Sequence, residues 1–247
     1  MKQTPYFFLL PSILILAFTS LYPICYSIYY SFFNWRWGDE KDFIGVTNYI
    51  TLLTDKEFWT IVKNTFIFAF FACFFEIVIG VFLAIYIDRI KIGSTIIRTI
   101  LLIPLMVSGI SVTMLFKVML DNMFGIIPYF LSFVGIKSNF FGSYTAAMPT
   151  IIGLDVWWQT SFVFIIILAG LKSIPNEPIE AAKMDGASEW EITRYIRLPM
   201  IRSLLFLVLI FRSIDTLKVF DIVWGTTGGG PGLATEALQT YAYRVAY

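Results

Sequence analysis

Two short stripes of polar and aromatic residues lie inside otherwise apolar stretches of the chain. Asp155, Trp158, Gln159 and Phe162 recur at the spacing that places them on one face of a helix. Asp215, Thr216 and Val219 form a similar stripe, with Arg212 and Lys218 nearby, and Ser108 sits in a third apolar stretch that could join them. Carboxylates and an amide offer acceptors to hydroxyl groups, and aromatic faces suit the C–H surfaces of a polyhydroxylated solute. The competing reading is structural: an ion pair of Arg212 with Asp215, and Trp157 and Trp158 as anchors at a membrane interface. Both stay open on the sequence. Glu76 shares a face with Gly80 and Ala84. Small residues at that spacing mark close helix contact, so Glu76 reads as a packing or gate residue before it reads as a ligand contact.

Covalent and metal chemistry find little support. Histidine is absent from the 247 residues, which removes the commonest general base and the commonest zinc ligand. Cys25 and Cys73 both fall inside apolar runs, where they read as small hydrophobes, not as a disulfide or a metal site. Gly228-Gly229-Gly230-Pro231-Gly232 is rich in glycine but lacks the Lys-Ser/Thr that a phosphate loop needs, so it reads as a tight turn. The sequence therefore offers no catalytic residues and no metal ligands. A net charge of +1 without a dense basic run argues against a nucleic-acid partner.

The elements that must position these residues are membrane helices. The chain is 58% hydrophobic and 14% charged, with a mean hydropathy of +0.77. Its apolar residues come in blocks near the length that spans a hydrocarbon core about 30 Å thick. Five spans are expected, at about 6–30, 59–87, 96–120, 148–171 and 201–224, within a single domain of residues 1–247. Pro11, Pro23 and Pro104 fall inside spans and predict kinks that neighbouring helices can re-satisfy. The first run is too long for a signal-peptide core and reads as a retained span.

The connections differ in character. Residues 34–58 are polar and aromatic, with Trp35 and Trp37. Residues 88–95 carry Arg89 and Lys91, and 172–200 are long, charged and helical in pattern. Placing the N-terminus, 88–95 and 172–200 on the cytoplasmic side concentrates basic residues there, as the positive-inside rule requires. Five spans then leave the C-terminal end outside.

The loop 172–200 carries the most specific signal. Residues 180–199 read EAAKMDGASEWEITRYIRLP. Gly186 interrupts a helix-forming run, and Ser188 with Glu191 three residues on predicts a capping box opening a second short helix. The expectation is helix–turn–helix, with Ala181, Ala182 and Ala187 small enough to let a partner approach. Without the specific string, an amphipathic loop lying on the membrane would serve as well.

That string resembles the EAA loop of binding-protein-dependent ABC importer permeases. The matching positions are Glu180, Ala181, Ala182, Asp185, Gly186, Ala187, Ile196, Leu198 and Pro199. Thr193 departs from the pattern, which commonly has an aromatic residue there, and is expected to soften packing within the loop. The resemblance extends to LAGLKSIP at 168–175 and SGISVTMLFKVML at 108–120. VFDIVWGTTGGGPGLATEALQTYAY at 219–243 resembles the carbohydrate-uptake branch, close to the sugar and glycerol-phosphate permeases.

The resemblance implies an all-α polytopic bundle of the type I importer-permease fold in the cytoplasmic membrane. It implies pairing with a second, related permease and with two ATPase subunits that use ATP, this chain binding no cofactor itself. It also implies an extracellular solute-binding protein that delivers a sugar or oligosaccharide, and a coupling loop that docks on the ATPase. The family ends inside after one further helix, so a sixth span beyond Tyr247 is expected. The rivals are a permease for a non-carbohydrate solute such as glycerol phosphate, and a secondary transporter, which the lack of an evident internal repeat disfavours.

Overall fold

The computed structural model describes residues 4–35, 40–90, 92–135 and 139–246, so Trp37, Lys91 and Tyr247 lie outside the described residues. Two units are distinguished, Met1–Trp59 and Thr60–Tyr247. In the first, α1 (Thr4–Leu16), a π-helical turn (Ala17–Leu21) and α2 (Tyr22–Tyr30) follow one another without a break. Pro11 sits inside α1, and Pro23 follows directly on the π-helical turn, where the helical ladder is already irregular. Strands β1 (Phe33–Asn34) and β2 (Asp42–Phe43) pair antiparallel, Phe33 opposite Phe43. Helix α3 (Thr47–Thr54) is tied to this region by the Asn48 amide, which donates to the Ser31 and Phe33 carbonyls at 2.9 and 3.1 Å.

Helix α4 (Lys56–Arg89) begins in the first unit and supplies the second with its longest element. Glu57 in its first turn and Arg89 in its last both complement the helix dipole. Its buried residues follow helical spacing: Ile61, Thr65, Phe68, Ala72, Glu76, Gly80, Ala84 and Ile87 lie on one face. At one end Asn64 donates to the Leu233 carbonyl at 2.6 Å, and the Thr65 hydroxyl accepts from the Leu238 N–H at 3.0 Å.

Two of the expected spans are broken, the first at Pro104, where a kink is expected. The 96–120 stretch is α5 (Ser94–Leu102), a 3₁₀ turn (Pro104–Met106) and α6 (Gly109–Met119), with a bend of 97°. Side chains of a neighbouring helix cover the carbonyls exposed there: the Ser161 hydroxyl donates to Leu101 at 2.6 Å, and the Trp158 indole to Val107 at 3.1 Å. The 201–224 stretch is α12 (Arg202–Leu217) and α13 (Asp221–Thr226), separated by Lys218–Phe220. The break falls in DTLKVFD, where four of seven side chains are polar.

Between these lie α7 (Ile126–Phe133), α8 (Ala147–Lys172), α9 (Asn176–Met184), α10 (Glu189–Ile192) and α11 (Leu198–Met200), and α14 (Leu238–Ala246) follows. Among the described residues, three helical stretches are long and apolar enough to cross a membrane: Leu9–Tyr30, Lys56–Arg89 and Ala147–Lys172. The bent pair makes a fourth if counted as one span.

Among its described residues the second unit has two apolar cores. One gathers Phe68 and Ala72 of α4, Ile151 and Leu154 of α8, Val219, and Ile222 of α13. The other gathers Ala84 and Ile87 of α4, Val163, Phe164 and Ile167 of α8, and Val208 of α12. Gly80 lets α4 approach α8 in the second. A Cβ at Gly80 would stand 2.6 Å from a Val163 methyl, whereas Gly153 has no atom within 4 Å of such a position. Gly80→Ala should therefore destabilise the detergent-solubilised protein by about 1–3 kcal/mol through overpacking. Gly153→Ala should leave it unchanged or slightly firmer. Thermal midpoints by size exclusion compare the two.

Candidate functional site

Between the two cores, at matching positions along three helices, lies a buried ion cluster. Arg212 of α12 meets Glu76 of α4 through two bonds, Nε to Oε2 at 2.5 Å and Nη2 to Oε1 at 3.0 Å. Its Nη2 also reaches Asp155 Oδ2 of α8 at 3.2 Å, and Nη1 reaches Asp215 Oδ2 at 3.3 Å. A planar guanidinium with five donors suits this shared arrangement. Arg212 and Glu76 are enclosed, but the Asp215 side chain remains 57% exposed. The pairing of Arg212 with Asp215 expected from the sequence exists, yet it is the outer contact. The principal partner is Glu76, 136 residues away.

Beside the cluster is a cavity of about 330 Å³. Asp155, Trp158, Gln159, Asp215, Thr216 and Val219 all line it, together with Arg212 and Lys218. Two of the sequence candidates fall elsewhere. Ser108 caps α6, its hydroxyl accepting from the Ser111 N–H at 3.4 Å, and Phe162 packs edge-on to Phe211. The Trp158 indole N–H is engaged by Val107, so toward the cavity this residue contributes apolar ring surface. Phe220, Asp221 and Ile222 line the cavity without having been singled out. Asp221 opens α13, which lies close against α6: Gly109 leaves room for the Asp221 carboxylate, and Gly225 for Thr113.

The Gly-rich segment 228–232 forms a turn in which Gly228, Gly229 and Gly232 have positive φ. Thr235 closes it, its N–H donating to Gly229 at 3.1 Å and its hydroxyl to Gly230 at 2.7 Å. Beneath Gly229 lies the fully buried carboxylate of Glu236, with Arg244 3.4 Å away. A carboxylate at that position opposes phosphate binding.

The loop 176–200 is helix–turn–helix. Helix α9 ends in a Schellman motif: the Ala187 N–H donates to Ala182 at 2.9 Å and the Gly186 N–H to Lys183 at 3.1 Å. Gly186 has φ of +83°, a conformation that disfavours any side chain. Ser188 and Glu191 then make the reciprocal capping box that opens α10, and the two Ser188 hydrogen bonds hold the Glu191 carboxyl below the ordinary range. Helix α10 runs through a π-helical segment (Thr193–Arg197) into α11. Glu180, Ala181, Asp185 and Pro199 are exposed; Ala182, Ala187, Ile196 and Leu198 are partly buried. Met184, Trp190 and Tyr195 project large apolar surface outward.

Thr193 does not soften this loop. It is buried, its hydroxyl donates to the Glu189 carbonyl at 2.8 Å, and it accepts from Arg89 Nη2 at 2.9 Å. An aromatic ring could make neither bond. The Glu189 carboxylate adds ion pairs to Lys183 and Arg197, both at 3.3 Å, and to Arg89 at 3.8 Å. Burial pushes the Glu189 carboxyl up, but the Lys183 hydrogen bond and the three positive charges outweigh it, so the value is lowered. A lowered carboxyl holds its contribution above the ordinary carboxyl value and loses it only as pH falls through the lower one. The tie of this loop to the end of α4 thus persists through neutral and mildly acidic pH.

Residues 76–246 match the family described as the inner membrane component of binding-protein-dependent transport systems. The chain belongs to that family of permeases. Relatives match over most of their length. The trehalose/maltose transport system permease protein MalF of Thermococcus litoralis is 37% identical over 83% of this chain and 70% of its own. The sn-glycerol-3-phosphate transport system permease protein UgpA of Yersinia enterocolitica is 31% identical over 97% of this chain and 82% of its own. In fold, the permease matches a chain of the crystal structure of a bacterial alginate ABC transporter in complex with alginate pentasaccharide-bound periplasmic protein. The TM-score is 0.84 at 23% identity, covering 98% of this chain and 82% of that one. This is the type I importer-permease fold, and family membership sets aside the secondary-transporter alternative.

The permease site makes a sharp stability prediction. Arg212→Leu leaves two buried carboxylates without a cation and should cost about 3–5 kcal/mol. Adding Asp215→Leu should not rescue it, because Asp215 is half-exposed and Glu76 stays unpaired. Adding Glu76→Leu should recover at least half the loss, read as thermal midpoints in a double-mutant cycle.

Proposed function

We propose that this permease moves a saccharide, released to it by an extracellular binding protein, past the wall formed by α8, α12 and α13. One observation carries the substrate assignment: the cavity beside Arg212 combines acceptors (Asp215, Asp221, Gln159) with aromatic surface (Trp158, Phe220). Hydroxyl-rich rings require both kinds of surface. Relatives named for trehalose/maltose and for multiple sugars support this reading. A relative named for sn-glycerol-3-phosphate points to a second solute class.

The loop 176–200 is the coupling element in this proposal. Its exposed Met184, Trp190 and Tyr195 offer an ATPase subunit an apolar docking face, and Glu180, Ala181 and Asp185 flank it. ATP is hydrolysed on those separate subunits, and a second permease completes the pathway. The loop thereby transmits a two-state motion and performs no chemistry itself.

Two measurements test this. The purified chain should show no ATP hydrolysis above background, while its complex with ATPase partners hydrolyses ATP and drives saccharide uptake into proteoliposomes. Turnover by this chain alone, with contaminants excluded, would refute the division of labour.

Gly186→Val must force a β-branched residue into positive φ, at a penalty of about 1–2 kcal/mol. Nothing lies within 4 Å of the added Cβ, so the fold should survive and the defect should appear in coupling. Insertion should be normal and uptake reduced several-fold per ATP hydrolysed. Normal uptake per ATP would show that the loop does not carry the motion.

A further inference from the structure

The electrostatics of the same cavity discriminate among solutes, an inference that rests on the saccharide reading and narrows it. The wall carries three carboxylates, Asp155, Asp215 and Asp221, and two cations, Arg212 and Lys218. Glu76 stands behind Arg212 as a fourth carboxylate.

Arg212 is closed to a ligand. It is 2% exposed, and its Nε, Nη1 and Nη2 each bond a protein carboxylate. An incoming anion would have to displace Glu76 or Asp155 from a buried site, leaving that carboxylate unpaired. Lys218 remains, but Asp215 and Asp221 lie three residues to either side of it, both exposed and both lining the cavity. With Glu76 counted, four acidic groups stand against two basic ones.

An anionic solute therefore meets two accessible acids against one accessible ammonium, Lys218, and no free guanidinium. A neutral polyol meets acceptors for its hydroxyls. We infer that this chain's wall of the pathway selects neutral saccharides and rejects uronates and phosphate esters. That sets it apart from the named cargo of the glycerol-phosphate relative, and from the acidic polysaccharide imported by a structural neighbour.

The test uses the complete transporter in proteoliposomes: this chain, its second permease, the ATPases and the binding protein. The probes are maltotriose, an unsaturated tri-uronate and glycerol 3-phosphate, each radiolabelled. Maltotriose should enter at least about tenfold faster than either anion, the discrimination that one uncompensated like-charge contact produces. Uptake of the tri-uronate at a rate equal to maltotriose would overturn the charge rule and leave the saccharide reading standing. Glycerol 3-phosphate as the sole imported probe would overturn both, and so would uptake of none of the three.

A second arm places the selectivity on this wall. Asp221→Asn stands apart from the Arg212 cluster, and Asp215→Asn leaves Arg212 its two buried partners. The double variant should raise the ratio of anion to maltotriose uptake about tenfold or more. An unchanged ratio in correctly assembled transporter would overturn the assignment of selectivity to this wall.

Discussion

A guanidinium placed among three apolar helices has to be neutralised before any of them can settle. Arg212 meets this condition with Glu76 from α4, Asp155 from α8 and Asp215 from its own helix. The arrangement fixes the depth and the rotation of α4, α8 and α12 together, because a shift of one residue in any of them strands a charge in a low-dielectric interior. The apolar cores on either side pack well only in that same register. Val163 against Gly80 and Phe68 near Ile151 presuppose it. The ionic layer and the close approach at Gly80 thus favour the same register.

Backbone interruptions occur beside this layer, and each has a local solution. Pro104 breaks the bent pair, and α8 answers with Ser161 and Trp158. Lys218–Phe220 interrupts the last long helix where its residues line a polar cavity. Irregular backbone is tolerated at membrane depth only against protein or water, so the breaks mark where the bundle is not facing lipid. Buried and cavity-facing acids separate along the same line: Glu76 and Asp155 hold the helices, while Asp215 and Asp221 stay accessible.

Local features were legible in the sequence, and long-range ones were not. Ser188 with Glu191 and the glycine at 186 read correctly because a capping box and a Schellman turn close within a few residues. The stripe from Asp155 to Gln159 was visible as helical periodicity, and it does line the cavity. Glu76 was placed on a packing face, but its bond to Arg212 was hidden, since periodicity shows which residues share a face and not which faces meet. Asp221 was missed for a related reason: a continuous helix through 201–224 put it out of register with Asp215, and only the break brings it round. Ser108 looked polar and therefore available, although a serine ahead of a helix is more naturally a cap. Thr193 looked like a weakness because its partner, Arg89, is 104 residues away.

Helix α4 also joins parts of the chain far apart in sequence. It runs 34 residues, about 50 Å, without a proline, held near one end by Leu233 and Leu238 and at the other by Thr193 and Glu189. Sharp kinks have local causes such as proline, and α4 has no proline, so its two anchored ends share one helix. The Arg212 cluster holds the same helix partway along, through Glu76. The loop 176–200 and the segment 233–238 are thus fastened to one continuous helix, on either side of Glu76.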